Sequence, residues 1–167
     1  HPEKLITIIE LSEKTLGIPD LEIGLIHRSV AIKNEIVMQD PTEKNIRKAL
    51  NFGHTLGHAI ESYFLENENK TTLLHGEAIA IGMILESYIS MSKNLISKED
   101  YLEIKSTIKS IFEDVIFDKS DIQSILDLLI HDKKNENGKI KFVLLDGIGK
   151  FIINQEVENE IIMSSFE

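Results

Sequence analysis

Residues 47–61 read RKALNFGHTLGHAIE, a stretch with helical periodicity that holds two glycines and two histidines. Its polar side chains and their nearest polar neighbours recur at helical spacing: Glu43, Arg47, Asn51, His54, His58 and Glu61. One continuous helix would present them all on one side. Gly53 and Gly57 each destabilise a helix by about 1 kcal/mol relative to alanine. Their presence is therefore best explained if another backbone or a ligand must come close at these positions. The alternative is a solvated polar face.

A second candidate segment is LHGEAIAIGM, residues 74–83, in which His75 precedes an apolar run. At a helix N-terminus the helix dipole favours the neutral imidazole that a metal requires. The small residues Ala78, Ala80 and Gly82 would let a partner helix come close. Alone, His75 is more typical of a capping or packing residue. Together with residues 47–61 it predicts three converging imidazoles, two as metal ligands and one for proton transfer.

Three lysines are candidate anion-binding groups. Lys33 follows Ile26 and Val30 at helical spacing, so we expect its stem to point inward with apolar neighbours. Buried lysines are rare without a partner, so Lys33 either binds an anion in a cavity or extends its ammonium to the surface. Lys133 and Lys134 lie in HDKKNENGKIKF and by themselves indicate a solvated turn.

Composition limits the classes of function. The chain has 167 residues and a formal net charge of -10, which disfavours nucleic acid and anionic membranes as partners. It contains no cysteine, so a metal would need His, Asp or Glu ligands. The apolar runs are too short for a membrane span. We expect one globular domain over residues 1–167, in a cytoplasmic protein.

The fold is predicted to be mainly α, with a small β-hairpin near the C-terminus. Amphipathic helices are expected over residues 2–17 and 20–40, and further helices from Ser97 and Ser120, with Asp100 and Gln123 completing capping boxes. Residues 65–74 read as a surface loop. The segment KIKFVLLDGIGKFII predicts two strands about an Asp146-Gly147 turn. The chain has no glycine-rich strand-to-helix turn, so a nucleotide-binding half is not expected here.

These motifs, in this order, resemble the C-terminal domain of 3-dehydroquinate synthase. The resemblance rests on RKALNFGHTLGHAIE and LHGEAIAIGM, with SVAIKNEIVMQDPTE before them and HDKKNENGKIKFVLL after them. It implies the C-terminal part of a longer enzyme of the shikimate pathway. That enzyme uses zinc (or cobalt) and NAD to convert DAHP, a seven-carbon keto-sugar acid phosphate, into 3-dehydroquinate and phosphate.

The resemblance also implies a role for individual residues. His54 and His75 match two zinc ligands, and the third, a glutamate, would lie upstream of His1. His58 matches a proton shuttle and Glu43 an acidic group of the site. The residues matched to substrate binding are Lys33, Arg47, Asn51 and one or other of Lys133 and Lys134. No NAD-binding residue is expected within the chain, because NAD would be bound mainly by an N-terminal domain.

Two alternatives remain open. The first is another sugar phosphate cyclase, or a more distant glycerol-dehydrogenase-like enzyme. The second is a helical partner-binding module without catalytic activity. As a synthase, the protein would act on a small molecule, contact its own N-terminal NAD-binding domain and form a homodimer when full-length. The isolated chain is predicted to be inactive.

Overall fold

A computed structural model describes the backbone of residues 19–134 and 140–167. The helices are α1 (Pro19–Gln39), a 3-10 helix (Ile46–Asn51), α2 (His54–Glu66), α3 (His75–Ser92), α4 (Lys98–Lys109), α5 (Lys119–Lys134) and α6 (Asn159–Ser164), and the strands are β1 (Phe142–Leu145) and β2 (Phe151–Gln155). This confirms a mainly α fold with a hairpin near the C-terminus. The helix predicted over residues 2–17 lies outside the described residues. No described helix is long and apolar enough to cross a bilayer.

The N-terminus of α4 follows its sequence signal. Ser97 caps α4 as predicted, because its Oγ accepts the N–H of Asp100 at 3.0 Å. The Asp100 carboxylate in turn accepts the N–H of Ser97 at 3.2 Å. This reciprocal pair satisfies two backbone donors that a helix start leaves unpaired.

The capping box predicted from Ser120 and Gln123 is wrong. Asp118 caps α5 instead: its Oδ1 accepts the backbone N–H groups of Ser120 at 2.7 Å and Asp121 at 2.9 Å. Asp121 completes the pair by accepting the N–H of Asp118 at 2.9 Å. A charged carboxylate is a stronger acceptor than a hydroxyl near the positive end of a helix dipole, which explains why Asp118 takes the capping position.

The core lies where α2 packs against α3 and α5, with β1 against α3. Its completely buried apolar side chains are Leu56, Ile60, Ala78, Ile89, Ile125, Phe142, Leu144 and Ile162. On α2, Leu56 and Ile60 are four residues apart and share the inward side with Phe64. This packing fixes the opposite, polar side of α2 relative to α3.

The α2 and α3 helices meet through glycines. A side chain at Gly82 of α3 would overlap the carbonyl oxygen of Gly53. A side chain at Gly57 would lie 2.7 Å from Cδ1 of Ile79 and 3.0 Å from its Cα. The close approach predicted from these small residues is therefore confirmed, and it brings the first turns of both helices together.

The hairpin closes over α3. Its strands are antiparallel, with Leu144 opposite Ile152, and the loop Asp146–Lys150 connects them. The backbone N–H of Leu145 donates to Oγ of Ser90 at 3.1 Å, which ties β1 to α3.

Candidate metal and substrate site

The polar stripe predicted over residues 43–61 does not lie on one helix, so that expectation is wrong. A 3-10 helix ends at Asn51 and α2 begins only at His54. Between them, Gly53 has a φ of 82°, a left-handed conformation that other residues rarely adopt. Tertiary packing imposes the break, because a side chain at position 53 would lie 2.9 Å from the carbonyl oxygen of Ile79. The stripe is thus divided between the 3-10 helix and α2.

Three imidazoles nevertheless converge where α2 and α3 begin. One ring nitrogen from each of His54, His58 and His75 lies within 4.8 Å of the other two. The ring centroids are 5.3 Å apart for His54 and His58, 5.9 Å for His54 and His75, and 5.6 Å for His58 and His75. His54 is half-buried and the other two are exposed. The predicted convergence is confirmed, and the individual ligand roles stay predictions.

Hydrogen bonds distinguish the three rings. Nδ1 of His54 lies 3.3 Å from the carbonyl oxygen of Phe52, and Nδ1 of His75 lies 3.0 Å from Oε2 of Glu61. Both partners only accept, so each Nδ1 would donate, and in a neutral ring Nε2 is then the nitrogen left with a lone pair. Within the described residues, His58 contacts the other two rings and has no hydrogen bond to the protein. His54 and His75 are therefore oriented, whereas His58 is not.

The environment of His54 favours its neutral form. Burial lowers the pKa of His54 below its ordinary value, and the neighbouring rings of His58 and His75 lower it further. The hydrogen bond to the Phe52 carbonyl acts in the opposite direction but does not reverse the change. A neutral imidazole is the form that binds a metal.

A second polar cluster lies immediately before α2. The Glu43 carboxylate accepts a hydrogen bond from Nδ2 of Asn51 at 2.6 Å and lies 3.5 Å from Nε of Arg47. Nη1 of Arg47 also donates to the carbonyl oxygen of Pro41 at 3.0 Å. Glu43 has a φ of 54°, which is uncommon for a residue other than glycine. Three predicted site residues are therefore held together by direct contacts.

Asp40, which sequence reasoning did not select, organises the turn that carries this cluster. Its carboxylate accepts the backbone N–H groups of Lys44 at 3.0 Å, Asn45 at 2.7 Å and Arg47 at 3.1 Å. The hydrogen bond from Asn45 is the largest of the effects that lower the pKa of Asp40. An aspartate just before proline is a turn signal that could have indicated this role.

The inward orientation predicted for Lys33 is wrong. Lys33 is exposed on α1, and its apolar neighbours Ile26 and Val30 are 64% and 62% exposed. The main neighbour of α1 in the described part of the chain is the 3-10 helix, so most of the α1 surface stays open. The backbone of Lys133 and Lys134 ends α5, and their side chains lie outside the described residues. Within the described residues, no hydrogen bond or ion pair joins Lys33 to the histidines.

Of two further glutamates near the histidines, Glu61 was placed on the polar stripe from the sequence but given no role, and Glu86 was missed. Glu61 lies three residues after His58, so its place on the same helical side was readable from spacing, although its contact with His75 was not. Glu86 is a completely buried carboxylate on α3, directly after the apolar run of residues 78–85. Its position at the end of that run was the available signal, because acidic residues are rarely buried without partners.

Comparison with known proteins places these features in a family. The 3-dehydroquinate synthase C-terminal family matches residues 4–135. The 3-dehydroquinate synthase of Parabacteroides distasonis is 43% identical over 144 residues, which are 86% of this chain and 40% of that protein. The enzyme of the same name from Helicobacter pylori strain HPAG1 is 40% identical over 156 residues, 92% of this chain and 44% of that protein.

A solved structure has the same fold. It is a 2-deoxy-scyllo-inosose synthase complexed with carbaglucose-6-phosphate, NAD+ and Co2+, with a TM-score of 0.70 and 31% identity. The match covers 89% of this chain and 41% of that one. The chain thus spans about two fifths of the length of the relatives that it matches. Matched over most of its own length, it belongs to the 3-dehydroquinate synthase C-terminal family.

Proposed function

We propose that the chain is the metal- and substrate-binding part of a 3-dehydroquinate synthase, which converts DAHP into 3-dehydroquinate and phosphate. The observation that carries this proposal is the convergence of His54, His58 and His75 at the start of α2 and α3, within the matched family region. NAD would be bound mainly by an N-terminal domain, in keeping with relatives more than twice as long as the matched region. A homodimer and a cytoplasmic location stay predictions.

The histidine cluster fits zinc or cobalt. Imidazole nitrogen is a preferred ligand of both metals, and a catalytic zinc site keeps a position open for substrate. His54 and His75 would hold the metal through Nε2, since their Nδ1 atoms face acceptors. When bound, the metal supplies Lewis-acid chemistry that lowers the pKa of substrate hydroxyls and polarises a ketone. The related cyclase structure contains Co2+ and NAD+, which supports this cofactor pair.

The other residues would bind the substrate and move protons. His58 lacks a hydrogen bond to the described protein, so its ring is available to accept a proton from a substrate hydroxyl and return it. Arg47 retains N–H groups beyond the two that contact Pro41 and Glu43, and these suit a carboxylate or phosphate. Glu43 orients Arg47 and Asn51. Lys33 and one of Lys133 and Lys134 would add positive charge near the substrate.

A second candidate is another sugar phosphate cyclase. It is favoured by the likeness to 2-deoxy-scyllo-inosose synthase, whose ligand carbaglucose-6-phosphate is a phosphorylated sugar mimic without a carboxylate. The two candidates therefore differ in whether the substrate carries a carboxylate as well as a phosphate. Arg47, which is suited to binding two oxygens, supports the acid phosphate.

The test is phosphate release by the full-length protein with zinc and NAD. Release from DAHP, with formation of 3-dehydroquinate, is expected, and glucose 6-phosphate should give none. His54→Ala should abolish release. His27→Ala is the matched control, because His27 is exposed on α1 and should be dispensable. Release from glucose 6-phosphate alone would favour the second candidate, and release from neither would defeat both 3-dehydroquinate synthase activity and a cyclase that acts on glucose 6-phosphate.

A further inference from the structure

Glu86 is a fully buried carboxylate, and the proposed chemistry does not use it. Its Oε2 accepts the backbone N–H of Gly53 at 2.7 Å, and its Oε1 accepts that of Leu56 at 3.2 Å. These donors belong to the turn that begins α2 and surround His54 in sequence.

The first turn of any α-helix leaves backbone N–H groups without partners, and a side chain just before the helix usually accepts them. Here that position is Gly53, which has no side chain and makes no side-chain capping bond. Close packing against α3 excludes a larger residue at this point. The capping acceptor therefore comes from α3, across the helix interface.

Glu86 also shares a side of α3 with His75. The two are 11 residues apart, which is close to three helical turns, and Gly82 lies between them on the same side. One side of α3 thus carries an imidazole at its start, the glycine contact in its middle and the carboxylate that binds the α2 turn. The hydrogen bonds of Glu86 therefore fix the position of the His54 backbone relative to His75.

We propose that Glu86 is a positioning residue that holds the Gly53–Leu56 turn, and with it the imidazole of His54, at the distance from His75 that a shared metal ion requires. This inference rests on the proposed metal site. Residues that orient metal ligands typically change metal affinity by about 10–100-fold when replaced. Replacement of Glu86 should therefore weaken metal binding in protein that remains folded.

The variant Glu86→Gln keeps the side-chain volume but replaces one acceptor oxygen with an NH2 donor that faces backbone N–H groups. Asp121→Asn is the matched control, since Asp121 is 1% exposed. Asp121 binds Tyr63 at 2.5 Å and Lys70 at 2.7 Å, near the opposite end of α2. Both variants lose a buried carboxylate, but only Glu86 contacts the turn that carries His54.

The measurement is the zinc dissociation constant of the full-length protein by chelator competition, together with the visible absorption of the Co2+ form. Glu86→Gln should weaken zinc binding about 10–100-fold and alter the cobalt spectrum. Asp121→Asn should lower Tm while zinc affinity stays within about twofold. If Glu86→Gln does not fold, Glu86→Asp, which is one methylene too short to reach both ends of the turn, should show a smaller loss in the same direction.

Zinc affinity at the wild-type level in a folded Glu86 variant would overturn the positioning role and leave the proposed metal site intact. Failure of the wild-type protein to bind zinc would instead defeat the metal site, and the positioning role with it.

Discussion

At the residue scale, the three histidines differ in how the protein holds them. His54 and His75 each point Nδ1 at an oxygen acceptor, whereas His58 has only ring contacts within the described residues. Metal-binding histidines characteristically use one nitrogen for an orienting hydrogen bond and the other for the metal. The hydrogen bonding therefore supports the assignment of two ligands and one proton shuttle, although all three rings are close enough to share an ion.

The first prediction separates these roles in the full-length protein. His54→Ala and His75→Ala should lose bound zinc and DAHP turnover together. His58→Ala should retain zinc while turnover falls about 100-fold or more, the scale of a lost general acid-base group. Metal analysis and phosphate release on the same samples measure both quantities. Zinc loss confined to the His58 variant would mean that the two imidazoles on α2 have been assigned in the wrong order.

The second prediction concerns the carboxylate that orients His75. Glu61→Gln should weaken zinc binding about 10–100-fold, because the amide no longer supplies a charged acceptor for Nδ1. Stability should change little, since the His75 ring is 56% exposed. Glu66→Gln, at the exposed end of the same helix, is the control and should bind zinc normally. Equal zinc affinity in both variants would remove Glu61 from the site.

The third prediction tests the anion-binding groups. In the full-length protein, Arg47→Gln or Lys33→Met should reduce kcat/KM for DAHP by the equivalent of a few kcal/mol, as when a charged hydrogen bond is lost in a closed site. Because Lys33 is exposed, its replacement should leave thermal stability within about 0.5 kcal/mol. Tm and kcat/KM are measured side by side. Unchanged turnover in Lys33→Met would identify that lysine as a solvated residue.

At the element scale, the site depends on how closely α2 approaches α3. The fourth prediction is that Gly82→Ala destabilises the fold by at least about 2 kcal/mol, because the added methyl overlaps the Gly53 carbonyl. Gly76→Ala on the same helix meets no atom within 4 Å and should raise stability by up to about 1 kcal/mol. Urea unfolding of both variants measures the difference. A Gly82 variant as stable as the Gly76 variant would contradict the close contact.

Some features of these helices could be predicted from the sequence, and others could not. Periodicity correctly predicted the helices that carry the histidines, and the small residues of α3 correctly predicted close packing. Periodicity could not detect that Gly53 interrupts the helix, since the spacing of the polar residues fits a continuous helix equally well. Close packing against Ile79, 26 residues further along the chain, leaves no room for a side chain at position 53. The cap supplied by Glu86 was missed for a similar reason, because Glu86 lies on α3 and accepts from backbone groups at the start of α2.

At the scale of the whole molecule, charge limits how an acidic substrate is held. With a net charge of -10, the chain repels anions on average, so a carboxylate and a phosphate need local bases. Within the described residues, Arg47 is the base joined by hydrogen bonds to the predicted site cluster. Lys33 is exposed on α1, and within the described residues no hydrogen bond or ion pair joins it to that cluster. Binding of both anionic groups of DAHP therefore calls for additional bases or a changed position of α1.

The fifth prediction follows from this incomplete set of anion-binding groups and concerns residues 1–167 as an isolated chain. The chain should bind zinc more weakly than the full-length protein, because the resemblance places a third ligand upstream of His1. It should not convert DAHP, because its sequence has no glycine-rich turn for NAD and Lys33 is not held at the site. Zinc titration and phosphate release are compared with the full-length protein under identical conditions. DAHP turnover by residues 1–167 alone would show that these helices and the hairpin contain a complete active site.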